Sequence, residues 1–475
     1  MIKNIYTLGI ALLLGCSSCN DWLTVQPETV IVTDNLTTTD DGIKQILNGM
    51  FLTMRGTLYA PGAAVGGSGL AEALACTWYQ VGDGDIALGR HDYTSEFVQG
   101  TLNSAFCVFY DVIAMANDLI NGAEVNKDNL STPVYNVGVG EASAIRALCH
   151  FDLIRFWGPM PSRVDATRNY LPYVTVNSTE RYEYITYEKY MALLFEDLNR
   201  AEELLKQSDP IVTDSFEETE TTGAEWPYRK SRMNYYGVLG LQARVRLWYG
   251  DIEGALRYAR AVRDARNADE TPKFRLMVED DIDYDAGTWG DGMCGYSEHL
   301  CGTKCNTYDV EKSGWMSGRA YNCVYDSEAF DKLFDSQYDD VRYSRLWQYE
   351  RTGWMFRAYV MKKYSGFYPG TKAMTNFPII RLAEMYLIIM EKGTLEEANT
   401  LLEEFCAARN IPYEPYTNAD RADRVYKEWL RELIGEGQNF FTYKRYGVNK
   451  MLFSEIECTN EQYVLPIPEK EYWEE

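Results

Sequence analysis

The sequence predicts an all-α protein, an irregular array of helical hairpins interrupted by one long, loop-rich insertion. Three observations carry this. Apolar residues recur at helical spacing in several stretches, most clearly at i, i+3, i+4 and i+7 over 187–206. Two helix pairs, each broken by a tight Gly-containing turn, match one another in pattern. Residues 270–375 hold little sustained helical period.

The first helix is expected from Asp40-Asp41, whose carboxylates suit a helix N-terminus, with Ile43, Ile46, Leu47, Met50 and Phe51 on one face. Residues 56–90 are Gly-rich and read as loop, broken by the apolar piece 70–79. Helices follow over 102–121, 137–156 and 187–206, the second stopped by Gly158-Pro159-Met160-Pro161. Residues 207–230 read as acidic, polar loop. The first matching pair spans 232–249 and 252–266, with Gly250 ending one helix and Asp251 capping the next. The second spans 379–391 and 395–409, where Thr394-Leu-Glu-Glu397 reads as a capping box. Glu253-Gly-Ala255-Leu-Arg-Tyr258-Ala259 aligns with Glu396-Glu-Ala398-Asn-Thr-Leu401-Leu402. A small Ala with larger residues a turn later is the pattern of tetratricopeptide-like helical hairpins, here without a regular period. In the insertion, 357–363 reads as strand, and the clustering of Trp, Tyr, Gly and Cys marks a functional face rather than a linker.

Ahead of this body, Met1-Ile-Lys-Asn and the apolar run Ile5–Leu14 lead into Leu13-Leu-Gly-Cys16. A basic start and an apolar run of about 7–15 residues describe a secretion signal. A membrane span needs about 20, and no later stretch is expected to form one. The small Gly15 before a cysteine suits lipoprotein processing at Cys16, with Cys19 as the alternative. Residues 1–18 are thus assigned to signal and lipobox, and 19–475 to a single domain with a tether to about residue 40. Acyl chains hold a protein at a membrane without spanning it.

Composition narrows the function. A net charge of −24 disfavours nucleic acid. Three histidines, His91, His150 and His299, leave little for His-based catalysis or metal binding. The 36 Tyr and 11 Trp supply rings for a core and for flat ligand faces. Cys294, Cys301, Cys305 and Cys323 fit no paired zinc knuckle, so disulfides are expected there outside the cytoplasm. Cys76, Cys107, Cys149 and Cys406 sit in apolar stretches and are expected in the core.

Four segments resemble the SusD/RagB family of outer-membrane surface lipoproteins. They are Cys19-Asn-Asp21-Trp22-Leu23 followed by Pro27; the run from Glu141 through Arg146 and Arg155 to Trp157-Gly158-Pro159-Met-Pro161; Arg381-Leu-Ala383-Glu384-Met-Tyr386-Leu387; and Arg431-Glu432-Leu433-Ile-Gly-Glu436-Gly437-Gln-Asn-Phe440-Phe441-Thr-Tyr-Lys444-Arg445-Tyr446-Gly447. Asn439 and Thr442 depart from the usual basic residue and Asp. The resemblance implies a SusD-like helical fold on four tetratricopeptide-like hairpins and no catalysis. It also implies a SusC-like TonB-dependent transporter as partner, and an oligosaccharide, less often a peptide, as ligand.

Candidate ligand residues fall in two places. Trp78 and Tyr79 precede Gly82-Asp83-Gly84-Asp85, so rings for stacking on a sugar's C–H face stand beside carboxylates that accept its hydroxyls. Packing of Trp78 in a core is the competing reading. Trp289, Tyr296, Trp315 and Tyr321 lie in the insertion, where the resemblance implies aromatic ligand contacts. Asp83 and Asp85 also form a chance-level candidate for glycoside hydrolysis. No cofactor is expected. The acidic run Asp281-Ile-Asp283-Tyr-Asp285-Ala-Gly287 has the first half of a Ca2+ loop but Gly292 in place of its closing Glu, and reads better as a solvated loop. Arg381, Glu384, Arg431 and Glu436 are expected to form ion pairs between helices rather than catalytic groups.

Overall fold

The computed structural model describes residues 36–80, 82–282, 294–305, 323–324, 326–351, 357–364 and 376–468. The signal, Cys16, Cys19, Trp289, Trp315, Tyr321, and the acidic run from Asp283 to Gly287 with Gly292 lie outside these.

Helix α1, Asp40–Thr57, starts where Thr39 accepts from the Gly42 amide at 3.2 Å. Its face Ile43, Leu47, Met50, Phe51 and Met54 is buried against α4 (Glu96–Val125) and α5 (Thr132–Trp157). Between them, Leu70–Leu74 and Asp83–Gly89 form short helices α2 and α3, so the expected loop is partly helical. Helix α4 alone among the described helices is long and apolar enough by composition to cross a membrane, contrary to expectation. Its buried stripe, including Phe106, Phe109, Ile113 and Leu119, instead packs on α1 and α5. Helix α5 is buried on all sides and ends at Gly158. The Lys444 ammonium caps that end, donating to the carbonyls of Arg155, Phe156 and Gly158 at 2.7–3.2 Å.

Beyond α5 the chain forms a short pair, β1 (Asn169–Leu171) and β2 (Ile185–Thr186), then α6, Tyr187–Ser208, packed on α5. The single-turn α7, Phe216–Thr219, sits in the acidic segment. The hairpin α8 (Tyr235–Tyr249) and α9 (Ile252–Arg263) is shorter at its start than expected, because Asn234 accepts from the Gly237 amide and caps it there. Gly250 holds φ +94 and Asp251 caps Gly254 at 2.9 Å, as the sequence predicts.

The second hairpin is α12 (Leu382–Lys392) and α13 (Leu395–Arg409). Here Ile379 and Ile380, predicted helical, belong instead to strand β6, Asn376–Arg381, antiparallel to β3, His299–Lys304. Pro378 and the adjacent β-branched pair disfavour helix and fit a two-stranded ribbon. Thr394 caps α13, accepting from the Glu397 amide at 3.2 Å. The Glu397 carboxylate pairs with Arg260 at 2.7 and 2.8 Å, tying α13 to α9 rather than closing the full expected box. Helix α12 also packs on α9 and on α14, Arg421–Leu433, and α15, Asn439–Tyr446, follows.

The described part of the insertion contains α10 (Ser327–Leu333), α11 (Val341–Ser344) and the hairpin β4 (Trp347–Arg351) with β5 (Arg357–Met361). Its four cysteines do not bridge. Cys294 Sγ donates to the Asn376 carbonyl at 3.2 Å. Cys301 lies on β3 against Gly237 of α8. Cys305 neighbours Thr303. Cys323 opposes Val360 in a separate small cluster with Ala358. Each thiol is thus held by different packing. Cys76, Cys149 and Cys406 are buried as expected, but Cys107 is exposed, on the outward side of α4.

The family-like charged residues form a buried lattice. Arg381 donates to Glu298 at 2.6 Å, to Glu432 at 2.9 Å and to Glu436 at 2.7 and 3.0 Å. Arg409 bridges Glu298 and Glu432, and Arg342 bridges Asp340, Glu428 and Glu432. Arg244 holds Glu384 at 2.6 and 2.7 Å, and Arg431 pairs with Glu428 and Asp335. Burial alone would raise the Glu432 carboxyl, but Arg409, Arg381 and Arg342 outweigh it and hold it well below the usual carboxylate range. These residues lock elements together.

Candidate functional site

After α2 the backbone turns at Cys76, at φ +56, and runs extended through Trp78 and Tyr79. Trp78 pairs with Val324, and the Tyr79 amide donates to the Cys323 carbonyl at 2.8 Å. Successive side chains along extended backbone point to opposite sides. Trp78 therefore enters the core at 6% exposure, its Nε1 donating to the Gly67 carbonyl at 2.6 Å and its ring 5.9 Å from that of Trp347. Tyr79 turns outward and is 37% exposed. Of the two readings of Trp78, the core reading is the one this geometry fits.

Gly82, at φ +94, then starts α3. The helix is short, and two of its glycines let side chains lie on it. Gln80 packs across Gly89, where an added Cβ would fall 1.6 Å from the amide nitrogen. The Phe97 ring, 53% exposed, covers Gly84.

Between this segment and the C-terminal stretch 453–456 lies a cleft of about 190 Å³. Tyr79, Gln80, Ile86, Arg90, Phe453 and Glu455 line it. Arg90 and Glu455 face each other at 3.7 Å with both side chains well exposed, so both remain reachable by a ligand. The cleft thus offers one exposed ring, apolar walls, an amide, a guanidinium and a carboxylate. It is smaller than the roughly 300–1,000 Å³ of enclosing pockets and suits one ring of an extended ligand.

The groups behind it are chemically quiet. Burial holds His91 neutral, with its pKa lowered to about 4, and its Nδ1 lies 2.9 Å from the Tyr93 hydroxyl. Tyr93 in turn donates to the Gln462 carbonyl at 2.6 Å, fastening the C-terminal segment that forms one wall. Burial raises the Cys76 thiol to about 12, and Sγ donates to the Gly89 carbonyl at 3.0 Å. Neither is poised as base or nucleophile.

The structure places the other predicted residues separately. Asp83 and Asp85 stand in the first turn of α3, where carboxylates complement the helix dipole, while α3 contributes Ile86 and Gly89 to the cleft. Tyr296 is half-buried in a 3-10 turn, with the Lys230 ammonium 4.6 Å over its ring and His299 5.3 Å away. Of the Ca2+ run, Asp281 accepts from Arg275 and from the Val278 amide. Among the described residues no group of three or more His, Cys, Asp or Glu side chains is gathered in a metal-binding arrangement.

Sequence reasoning missed Gln80, Ile86, Arg90, Phe97, Phe453 and Glu455. The last two come from a stretch without helical or strand period, so only the folded chain brings them beside Tyr79.

Two family models match this chain. One, described as the SusD family, matches residues 325–473, and the other, described as starch-binding associating with outer membrane, matches 73–216. The chain belongs to the SusD/RagB family. The two matches include both walls of the cleft in this SusD/RagB protein. Among solved structures, it is similar to a SusD superfamily protein from Bacteroides thetaiotaomicron VPI-5482, 21% identical, with TM-score 0.70, covering 91% of this chain and 97% of that one. A SusD superfamily protein from Bacteroides vulgatus ATCC 8482 is 20% identical, with TM-score 0.70 and coverage of 91% and 96%. A SusD-like carbohydrate binding protein from the same organism is 19% identical, with TM-score 0.64 and coverage of 86% and 83%. At these identities the likeness establishes the SusD fold. No curated protein matches the sequence.

Proposed function

We propose that this protein is a lipid-anchored, cell-surface binding protein of the outer membrane. It captures an oligosaccharide and passes it to a SusC-like TonB-dependent transporter. The observation that carries the ligand class is the cleft at Tyr79. An outward ring beside a guanidinium, a carboxylate and an amide matches a sugar, which has an apolar C–H face and a rim of hydroxyls that both donate and accept. The starch-binding description of the model matching 73–216, the segment that contains Tyr79, supports the same class. The lipobox at Cys16, or Cys19, supports the location.

Binding without chemistry is the consistent role. Burial keeps His91 and His150 neutral, with pKa lowered to about 4 and about 3, and lowers His299 well below its usual value. No cofactor is required. A glycan array and a peptide library applied to the soluble protein, truncated after Cys19, test the assignment. Saccharide binding that is lost in Tyr79→Ala supports it. Binding of peptides alone makes the protein a RagB-like peptide receptor on the same scaffold, and release of reducing ends from a bound glycan makes it a hydrolase.

A further inference from the structure

The aromatic residues of β4, β5, α10 and α11 form a second array, separate from the cleft. Phe330 of α10 contacts Trp347, Tyr343 and Tyr359 at ring separations of 4.5, 5.7 and 4.6 Å. From this buried base the rings continue outward. Tyr359 lies 4.9 Å from Tyr349, its partner across the hairpin, and 5.6 Å from Tyr343, which lies 5.4 Å from Tyr338. The two outermost rings are the exposed ones, Tyr338 at 57% and Tyr349 at 51%. Few large hydrophobic side chains among the described residues are as exposed.

The inner pair is fixed by polar contacts. The Tyr343 and Tyr359 hydroxyls lie 2.6 Å apart, and both reach Asp331 Oδ1, at 3.2 and 2.7 Å. A core needs rings but does not need two tyrosines flanking a half-buried carboxylate, with two more tyrosines left in solvent. That combination supplies flat faces at spacings on the scale of a sugar ring, together with hydroxyls and a carboxylate at their edge. Rings that can stack on a C–H face, with hydroxyls and a carboxylate at their edge that can pair with hydroxyls, fit a neutral saccharide.

The array is joined to the first site through backbone. The extended segment at Trp78 pairs with Val324, Cys323 pairs with Val360 of β5, and β5 pairs with β4. Three strand spacings of about 4.8 Å separate the segment of Tyr79 from that of Tyr349. The two sites are therefore held rigidly relative to one another.

We propose that Tyr338 and Tyr349 form a second saccharide-binding platform, which engages a different stretch of the same polymer held at the Tyr79 cleft. This rests on the saccharide reading of the protein. Two weak sites on one rigid body raise avidity for a polymer without raising affinity for a short fragment.

The test is affinity electrophoresis of the soluble protein in gels cast with soluble starch, xylan, galactomannan or pectin, alongside calorimetry with short oligosaccharides cut from whichever polymer retards it. Wild type, Tyr338→Ala/Tyr349→Ala and Tyr79→Ala are compared. Both platform positions are exposed, so thermal melting should match wild type within a few degrees. We expect the platform variant to lose at least fivefold in polymer retardation while its affinity for the short fragment stays within twofold. Full retention of polymer binding by the platform variant overturns the platform and leaves the cleft standing. Loss of short-fragment binding by that variant, with normal melting, overturns the two-site arrangement. A wild-type protein retarded by none of the polymers overturns the platform and counts against the saccharide reading, whereas unchanged polymer and fragment binding in Tyr79→Ala overturns the cleft and with it the two-site arrangement.

Discussion

Arg381 and Glu432, 2% and 3% exposed, are joined at 2.9 Å at the centre of the charge lattice, linking the β6–α12 junction to α14. Arg381 serves three carboxylates, of Glu298, Glu432 and Glu436, so its removal leaves several buried charges uncompensated. Breaking a buried pair from one side destabilises by about 3–5 kcal/mol. Arg381→Ala should fall in or above that range in urea unfolding. Arg381→Lys should recover only part of it, because one ammonium cannot reproduce the forked contacts to Glu436. A loss under 1 kcal/mol for Arg381→Ala would remove the lattice from the account of stability.

Glu72 ties the two ends of the chain together. Its carboxylate accepts from the Thr77 hydroxyl at 2.6 Å and from the amides of Gly435 and Gly437 at 3.1 and 2.9 Å. Burial nevertheless pushes its pKa up to about 7, against those hydrogen bonds. A carboxyl with a raised folded-state pKa contributes stability that is full below about pH 4.5 and lost as pH rises through about 7. Gln keeps an acceptor for the two glycine amides without the charge. From pH 5 to pH 8 the stability of Glu72→Gln relative to wild type should therefore improve by about 2.5 kcal/mol. Denaturant midpoints at the two pH values check this, and an unchanged difference would assign Glu72 no titration in that window.

Gly437 needs its lack of a side chain for two reasons. It holds φ +71, and an added Cβ would lie 2.8 Å from the Val65 carbonyl carbon. Gly437→Ala should destabilise by more than the 1–3 kcal/mol typical of backbone strain alone, and should lower the melting temperature by several degrees. A melting temperature equal to wild type would contradict the close approach of the two segments.

Cleft substitutions should separate binding from folding. Tyr79→Ala should weaken saccharide binding about tenfold, the scale of one lost stacking contact plus its buried area. Arg90→Ala and Glu455→Ala should each weaken it by a smaller factor, with melting unchanged because their mutual pair is exposed. Calorimetry and melting on the same preparations give both readouts.

Cys294, Cys301, Cys305 and Cys323 are unbridged. Alkylation of the unfolded, unreduced protein followed by mass spectrometry should find all four modified. Reductant should leave the melting temperature unchanged. A mass two units lower per pair would establish a disulfide instead.

The helices were legible because each buries one stripe, and because Gly250, Asp251 and Thr394 act through contacts within a few residues. The boundaries slipped where distant partners decided them. Strand β6 took Ile379 and Ile380 because β3 pairs with it, and Glu397 left its capping box for Arg260 on another helix. At the candidate site, local pattern marked Trp78 and Tyr79 together but did not separate the buried ring from the outward one. Their opposite directions depend on the backbone pairing of Trp78–Tyr79 with Cys323–Val324. Phe453 and Glu455 reach the cleft through a segment fastened by Tyr93 and Gln462, a contact across most of the chain.

The most direct measurement is a crystal structure of the soluble protein with the best glycan from the array. A sugar ring stacked on Tyr79 within about 4 Å, with hydroxyls on Arg90, Glu455 or Gln80, is the predicted result. A saturated crystal whose cleft stays empty while the glycan sits at some site other than the two described would contradict it.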